Sequence, residues 1–383
     1  MAGATRPRVC LISLHFAEYA GRLARALAAH CELLVVVYDG NARDELGEHY
    51  QRVFDVPGIT LRALNKPRSA WGVLANCWRL TGWLRAFAPK ILHVQECPRD
   101  ELVLALLLLP AIPIVLTVHD PEPHSGQDAR AFHFSRFRLY RWVDRRRATA
   151  AITHGRCLSE LVEHHWPNLR GHVHSVAHGP LGQGDREAVV DTTDRRRLLF
   201  FGRIYAYKGL RYFVEAVRGL HASGVPVIGV VAGRGSDLDT YRSAMSEAGC
   251  FEVHDHYIPA AEVDQLFRSA RAVVLPYTDG TQSGVAAMAL GYGRPVIATA
   301  VGAIPELVRD GVSGLLVPVQ DVAALRAAVS AIVQDDALYA RLSAGARALR
   351  DGELSWDSIA AHTVGIYHRL TEGPMDSGGN KRD

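Results

Sequence analysis

Residues 200–210 read Phe200-Phe201-Gly202-Arg203-Ile204-Tyr205-Ala206-Tyr207-Lys208-Gly209-Leu210: an apolar strand, a glycine turn, an arginine and, five residues later, a lysine that opens an amphipathic helix. A strand-turn-helix step of this kind is built to grip an anion. The glycine lets backbone come close, the helix start offers unpaired N–H groups at the positive end of its dipole, and Arg203 and Lys208 add two full charges. Together they could neutralise a diphosphate without a metal. Two more glycine turns lie downstream. Val230-Val231-Ala232-Gly233-Arg234-Gly235 follows a β-branched strand, and Asp279-Gly280-Thr281-Gln282-Ser283-Gly284 follows the strand Ala272–Leu275. If the three turns end on one side of one parallel sheet, they stand where open sheets bind ligands, at the carboxyl ends of the strands.

Outward from this stretch, apolar runs of strand length alternate with helix-length amphipathic segments. The runs Val9–Leu14, Glu32–Val37, Ile91–Val94, Ile114–Val118, Ala148–Thr153 and His172–Val176 form a first set. Leu198–Phe201, Val227–Val231, Ala272–Leu275 and Val296–Thr299 form a second. Such alternation is the signature of right-handed βαβ units and a parallel sheet. The predicted fold class is α/β, with two doubly wound Rossmann-like domains facing across a cleft. The first domain covers residues 1–180, a glycine-rich charged linker covers 181–197, and the second domain covers 198–355. A further helix runs from about 356 to 371, and the polar, glycine-rich tail 372–383 is expected to be disordered.

At 383 residues and 48% hydrophobic, the chain is long enough for two cores. A net charge of +3 from 43 basic and 40 acidic residues is too balanced for a protein that wraps nucleic acid. Cys10, Cys31, Cys77, Cys97, Cys157 and Cys250 are scattered without metal-ligand spacing and read as reduced thiols. Met1–Arg8 lacks the apolar core of a signal peptide, which predicts a cytoplasmic protein. The apolar region Leu102–Val118 is split by Pro110 and Pro113, so a buried helix and strand fit it better than a membrane span.

The turn containing Arg203 and Lys208, the Gly233 turn and the stretch Ser283–Ser313 together resemble the retaining glycosyltransferases of family 4, which have the GT-B fold. The stretch reads SGVAAMALGYGRPVIATAVGAIPELVRDGVSGLLV, and its G-x-P-V-I-A, V-G-x-I-P-E-L-V and D-G-x-S-G-L-L-V pieces match in order and spacing. The likeness is specific over residues 198–320 and diffuse over 8–180, where Thr117-Val118-His119-Asp120 at a strand end is the matching piece. The resemblance implies that a nucleotide diphospho-sugar binds mainly to the second domain and the acceptor to the first. It implies that Arg203 and Lys208 hold the diphosphate, that His119 reaches the transferred sugar, and that backbone near Tyr257 and Ile258 meets the base. The helix from Trp356 is expected to cross back onto the first domain. No metal or cofactor is expected beyond the nucleotide sugar, and the leaving phosphate would help deprotonate the acceptor hydroxyl. Physical reasoning favours the same roles for the cations: a departing diphosphate gains negative charge, and fixed groups that meet it best in the transition state lower the barrier.

Two departures qualify the resemblance. The family's E-x7-E glutamates fall here on Gly280 and Met288, which cannot make the same contacts, although Thr281-Gln282-Ser283-Gly284-Val285 resembles a variant type in the family. Backbone amides of Ser283, Gly284 and Val285 can still face the donor phosphate from a helix start. After strand one, the usual Gly-Gly loop is replaced by the bulkier His15–Gly21, so the acceptor stays open.

Other features admit plainer readings. Asp237 and Asp239 form a literal D-x-D but are expected to cap a helix. His254-Asp255-His256 lacks an evident third metal ligand. His164, His165, His172 and His174 are expected at the surface, and Glu306 either lines the cleft or caps its own helix. Residues 130–147 interleave seven arginines with aromatics; as one helix they would suit either contact with anionic lipid or a solvated arginine face. Competing functions are a sugar-nucleotide 2-epimerase and a non-catalytic sugar-nucleotide-binding or partner protein. A nicotinamide-dependent oxidoreductase is disfavoured, since no G-x-G-x-x-G follows the first strand.

Overall fold

The computed structural model describes residues 6–97, 99–109, 112–121, 137–182 and 194–372. Two parallel sheets form, each with apolar clusters packed on both faces. The first contains β1 (Arg8–Ser13), β2 (Glu32–Tyr38), β3 (Ile59–Leu64), β4 (Ile91–Gln95), β5 (Ile114–Thr117), β6 (Ala150–Thr153) and β7 (Val173–Ser175). Their order is β3-β2-β1-β4-β5-β6-β7. The second contains β8 (Asp194–Phe201), β9 (Ile228–Ala232), β10 (Phe251–His254), β11 (Ala270–Leu275), β12 (Val296–Thr299) and β13 (Gly314–Val317), ordered β10-β9-β8-β11-β12-β13. Helices on both faces explain why central strands such as β2 and β11 are continuous apolar runs. In each sheet the order reverses beside the first strand, between β1 and β4 and between β8 and β11. That is where a doubly wound sheet opens a crevice.

The two-domain α/β architecture is the one expected. Three strands were not anticipated: β3, β10 and β13. All three lie at sheet edges, where only one neighbour pairs; exposed residues interrupt β3 and β10, and β13 is a half-buried run of four residues. The expected linker also overran, because Asp194–Arg197 is the polar start of β8. There Arg196 pairs with Asp194 at 2.8 Å and Arg197 with Glu252 at 2.6 Å.

The helix Trp356–Glu372 returns to the first domain and lies against the helix Ala17–Leu27. Ile359, Ala360, Ile366 and Tyr367 from it are buried in the first domain's core. A fully buried side chain of the Ile class contributes about 1.5–3 kcal/mol. Tyr367 also bonds His93 Nδ1 of β4 at 2.6 Å, and the Trp356 indole donates to the Pro180 carbonyl at 3.2 Å where the chain crosses. The first core is thus closed by the far end of the sequence.

Of the arginine-rich segment 130–147, residues 130–136 lie outside the described residues, as do 373–383 of the tail. The helix Phe137–Arg147 is present. Within it Arg145 does not belong to a solvated face: it is buried in a bidentate pair with Glu96 at 2.6 and 3.0 Å.

Candidate active site

The second domain's turns meet at the carboxyl ends of its strands. Gly202 ends β8 with φ 104° and its N–H donates to Ala232 O at 2.9 Å. Gly233 ends β9 with φ 136°, and a Cβ there would lie 2.0 Å from Gly202 O. Neither position has an ordinary L-residue conformation, and the second has no room for a side chain. Lys208 does not open the helix, as the sequence suggested. It closes a short 3-10 turn, Ala206–Lys208, and Gly209 in the left-handed region then leads into the helix Leu210–Ala222. The Thr278 N–H donates to Tyr207 O at 2.7 Å, pinning this turn to the one that follows β11.

This geometry places the Lys208 ammonium over the Tyr277 ring, 5.3 Å from its centre, and 3.4 Å from where a Gly202 Cβ would stand. Burial, then the nearby Arg203 charge, bring its pKa down to about 8. Arg203 is exposed, 5.7 Å from the Tyr205 ring centre. Its charge also reaches His15 in the first domain. That imidazole is depressed first by burial and then by Arg99, Arg203 and Lys66. The two cations therefore sit together and face the gap between domains. Among the described residues, neither is in an ion pair. A mostly buried lysine with no carboxylate partner is costly in isolation and suits an anionic ligand.

The helix Gly284–Gly291 starts beside them. Ser283 caps it, its Oγ accepting from Ala286 N at 3.2 Å, while the first-turn amides of Gly284 and Val285 have no intrahelical acceptor. Val285 Cγ2 lies 3.6 Å from the Gly202 Cβ position, so this helix start and the β8 turn line one pocket. Gly280 has φ 154°, and the space beside it is open, with Tyr277 the nearest group at 3.8 Å. Asp279 accepts from Gly280 N at 2.8 Å. Thr281 donates its hydroxyl across the gap to Asp120 Oδ1 at 2.5 Å, Gln282 is half-buried, and Met288 packs into the core. Ile258 is buried and Tyr257 is 71% exposed. The Tyr257 hydroxyl is pushed up by burial and then by Glu45, Asp44 and Glu18 of the first domain, which puts it at the cleft mouth.

From the first domain, His119, His154 and His178 converge. Each follows directly or within three residues the carboxyl end of β5, β6 or β7, three neighbouring parallel strands. Their ring centres are 5.1, 4.8 and 6.3 Å apart, and Tyr19 packs edge-on or tilted against all three. His119 Nε2 bonds Gln95 Oε1 at 2.8 Å, His154 Nδ1 the Val176 carbonyl at 3.0 Å, and His178 Nδ1 the Gly179 carbonyl at 2.8 Å. Since each of these partners is an acceptor, each named nitrogen carries the hydrogen, leaving the other ring nitrogen a bare acceptor. Burial leads the depression of all three pKa values, that of His154 to about 4 and that of His178 to about 3. Three neutral imidazoles with free lone pairs can accept bonds from sugar hydroxyls. They are also the one group among the described residues with three metal-capable ligand atoms in mutual reach, within 4.8 Å. The cluster borders the start of the helix Gly284–Gly291, with His178 Cε1 3.9 Å from a Cβ built on Gly284.

Sequence reasoning singled out His119 and passed over His154 and His178. The available signal was positional: a histidine at the end of each of three successive strands. His164, His165 and His172 are exposed as expected, whereas His174 is half-buried. Glu306 caps a helix, but not its own. Its carboxylate accepts from Arg156 N at 2.6 Å and Cys157 N at 3.0 Å, at the start of the first-domain helix Arg156–His165. Asp237 occupies the N-cap position of Leu238–Ala248 without a side-chain capping bond, and Asp239 pairs with Arg242 at 2.9 Å. His254 and His256 both bond Glu262, at 2.7 and 2.8 Å.

Two facing Rossmann-like domains with a cationic, amide-lined pocket at the second sheet's switch point define a GT-B protein. Family models place it further. Residues 16–176 match the glycosyl transferase 4-like domain and residues 195–335 the glycosyl transferases group 1. The chain belongs to the family 4-type glycosyltransferases. It is 32% identical over 193 residues to the D-inositol 3-phosphate glycosyltransferase of Xylanimonas cellulosilytica, covering 49% of this chain and 45% of that one. The match thus spans under half the length of that relative. The alpha-maltose-1-phosphate synthase of Mycolicibacterium smegmatis is 28% identical, covering 69% of this chain and 75% of the relative. In fold, the chain is similar to Anabaena Alr3699/HepE, solved with UDP and glucose, with a TM-score of 0.71 and 16% identity over 94% of this chain and 99% of that one.

Proposed function

We propose that this glycosyltransferase is retaining and metal-independent, and that it moves a hexosyl or related sugar from a nucleotide diphospho-sugar to an acceptor hydroxyl. A polysaccharide, a glycolipid or a glycosylated metabolite would be the product. One observation carries the reading: Lys208 and Arg203, in no ion pair among the described residues, stand beside the open amides of Gly284 and Val285. The diphosphate lies in that pocket, held by the two cations, with Gly202 and Gly233 allowing close approach and Thr281, Gln282 and Ser283 along its edge. As the sugar–phosphate bond breaks, the electrons stay on the diphosphate, and the fixed charges stabilise it. The leaving phosphate, on the same face as the incoming hydroxyl, takes its proton. No protein base is then required. His119 accepts a hydrogen bond from a hydroxyl of the transferred sugar at its free Nδ1, and His154 and His178 offer the same acceptor chemistry beside it. The nucleotide base lies toward Tyr257 and Ile258, and the open space at Gly280 is filled by the donor itself. Similarity to a protein solved with UDP and glucose favours a uridine donor. We further place the protein in the cytoplasm.

A thermal-shift panel of UDP-, GDP-, ADP- and TDP-sugars tests the donor pocket, since a ligand of the folded state raises the melting temperature by mass action. The UDP-sugars are expected to stabilise the parent chain and not Lys208→Ala. Equal stabilisation of both, or none by any nucleotide sugar, would defeat the reading. Product stereochemistry by NMR then tests retention, turnover in excess chelator tests metal independence, and donor incubated alone excludes epimerisation if no isomerised sugar appears.

A further inference from the structure

The helix Ala70–Phe87 buries a narrow strip, Asn76, Cys77, Leu80, Thr81 and Leu84. On its other side Trp71 and Trp78 are each 81% exposed and Leu74 is 52% exposed. Positions 71, 74, 78 and 85 fall on one stripe of a helix, so the two indoles and Leu74 face outward together, with Arg85 next in line. The adjacent helix Asp100–Leu108 packs beside it and exposes Leu107 and Leu108 by 57% and 63%. Isolated exposed apolar residues are ordinary, but a contiguous aromatic and aliphatic patch marks an interaction surface.

Charge identifies the partner. From residue 56 to residue 95 the chain holds Arg62, Lys66, Arg68, Arg79, Arg85 and Lys90 and not one Asp or Glu. Lys66, Arg68, Arg79 and Arg85 are exposed, and among the described residues none of them is in an ion pair. An indole-and-leucine face ringed by unpaired cations matches the boundary between anionic headgroups and acyl chains. No described helix is long and apolar enough to cross a membrane, so contact through this face is along the surface.

We infer that the face made by helices Ala70–Phe87 and Asp100–Leu108 docks on an anionic lipid bilayer. Trp71, Leu74 and Trp78 enter at headgroup depth, and Lys66, Arg68, Arg79 and Arg85 meet lipid phosphates. The residues that carry it lie outside the 130–147 segment, and it makes no use of the transfer chemistry.

The test uses the full chain and sedimentation with vesicles of phosphatidylcholine alone or mixed with phosphatidylglycerol, without nucleotide sugar. Binding to the mixed vesicles is expected, with blue-shifted tryptophan emission, and each basic residue near such a surface contributes about fivefold, equivalent to about 1 kcal/mol. Binding therefore weakens as salt is raised. Trp71→Ser with Trp78→Ser is expected to lower vesicle affinity at least about tenfold, with the melting temperature unchanged because both rings are exposed. Absence of binding to mixed vesicles would overturn the inference, as would equal binding by the double variant, or self-association of the parent through the tryptophans without lipid. Vesicle binding by Lys208→Ala equal to the parent's keeps this result separate from any failure of the transferase reading.

Discussion

Two helices make the same topological step in the two domains and meet opposite surroundings. Ala70–Phe87 carries the chain from edge strand β3 to β4, and Ala260–Ser269 carries it from edge strand β10 to β11. The second-domain helix is ordinary: Val263, Leu266 and Phe267 are buried, and Asp264 pairs with Arg268 one turn on at 2.6 Å. In the first-domain helix, Trp71 and Trp78 point out, while Trp83 and Phe87 pack against the core. Equal topology therefore leaves the outward face free to be chosen by what it meets, water in one case and, by our inference, lipid in the other. The difference matches the division of labour we propose, in which the second domain holds the donor and the first faces the acceptor.

That division can be broken most sharply at the donor pocket. Lys208→Ala is expected to lower kcat/KM about 100- to 1000-fold, the roughly 3–4 kcal/mol lost with one transition-state donor. Its melting temperature is expected to hold, because a buried ammonium without a carboxylate partner adds little to the fold. Wild-type turnover in this variant would remove the pocket from the mechanism. Next come the two helices themselves. Leu266→Ala in the second domain is expected to cost about 2–5 kcal/mol by chemical denaturation, whereas Trp78→Ser in the first stays within about 0.5 kcal/mol. Similar losses at both positions would show that the tryptophan packs within the fold and end the contrast.

A smaller effect is expected between the domains. Glu306→Gln removes the charge that holds the start of helix Arg156–His165, at a cost of about 1 kcal/mol, read as a raised KM with kcat less affected. The Glu306 carboxyl is pushed up by burial, but the Cys157 and Arg156 amides outweigh this and hold it below its usual range. A carboxyl with a lowered native pKa contributes stability that is present at neutral pH and lost as pH falls through that lowered value. Interdomain contact is therefore expected to weaken in acid in the parent and not in the variant. Last is the alkaline limb. Lys208, with a pKa of about 8, is charged below that pH and neutral above it. Donor affinity, measured by titration calorimetry, should fall above pH 8 by no more than about tenfold per unit, the slope of one proton. Flat affinity across pH 7–10 would show that the ammonium does not meet the diphosphate.

Much of this molecule was legible along the chain. Ten of its strands are anticipated within a few residues; nine of them are interior to their sheets and read as apolar runs bounded by turns, and β7 lies at an edge. The edge strands β3 and β10 were not anticipated, because exposed residues interrupt them, and neither was β13, a glycine-led run of only four residues. The glycine turns at Gly202, Gly233 and Gly280 were legible because only glycine suits those backbone angles. Trp71 and Trp78 were silent, since a tryptophan on an amphipathic helix reads as core until its neighbours are known. Lys208 was assigned to a helix because a five-residue spacing cannot tell a 3-10 turn from a first helical turn.

Local period and turn chemistry act over a few residues, so the sequence by itself determined the alternation of strands and helices, the two domains and the glycine turns at the strand ends. Only the tertiary structure decided that histidines 119, 154 and 178 share one wall, that Thr281 meets Asp120, and that Glu306 holds a helix of the other domain. Those meetings follow from strand order and domain closure. Parallel neighbours bring their carboxyl ends together whatever the distance along the chain, and no spacing in the sequence records which surfaces a cleft will bring face to face.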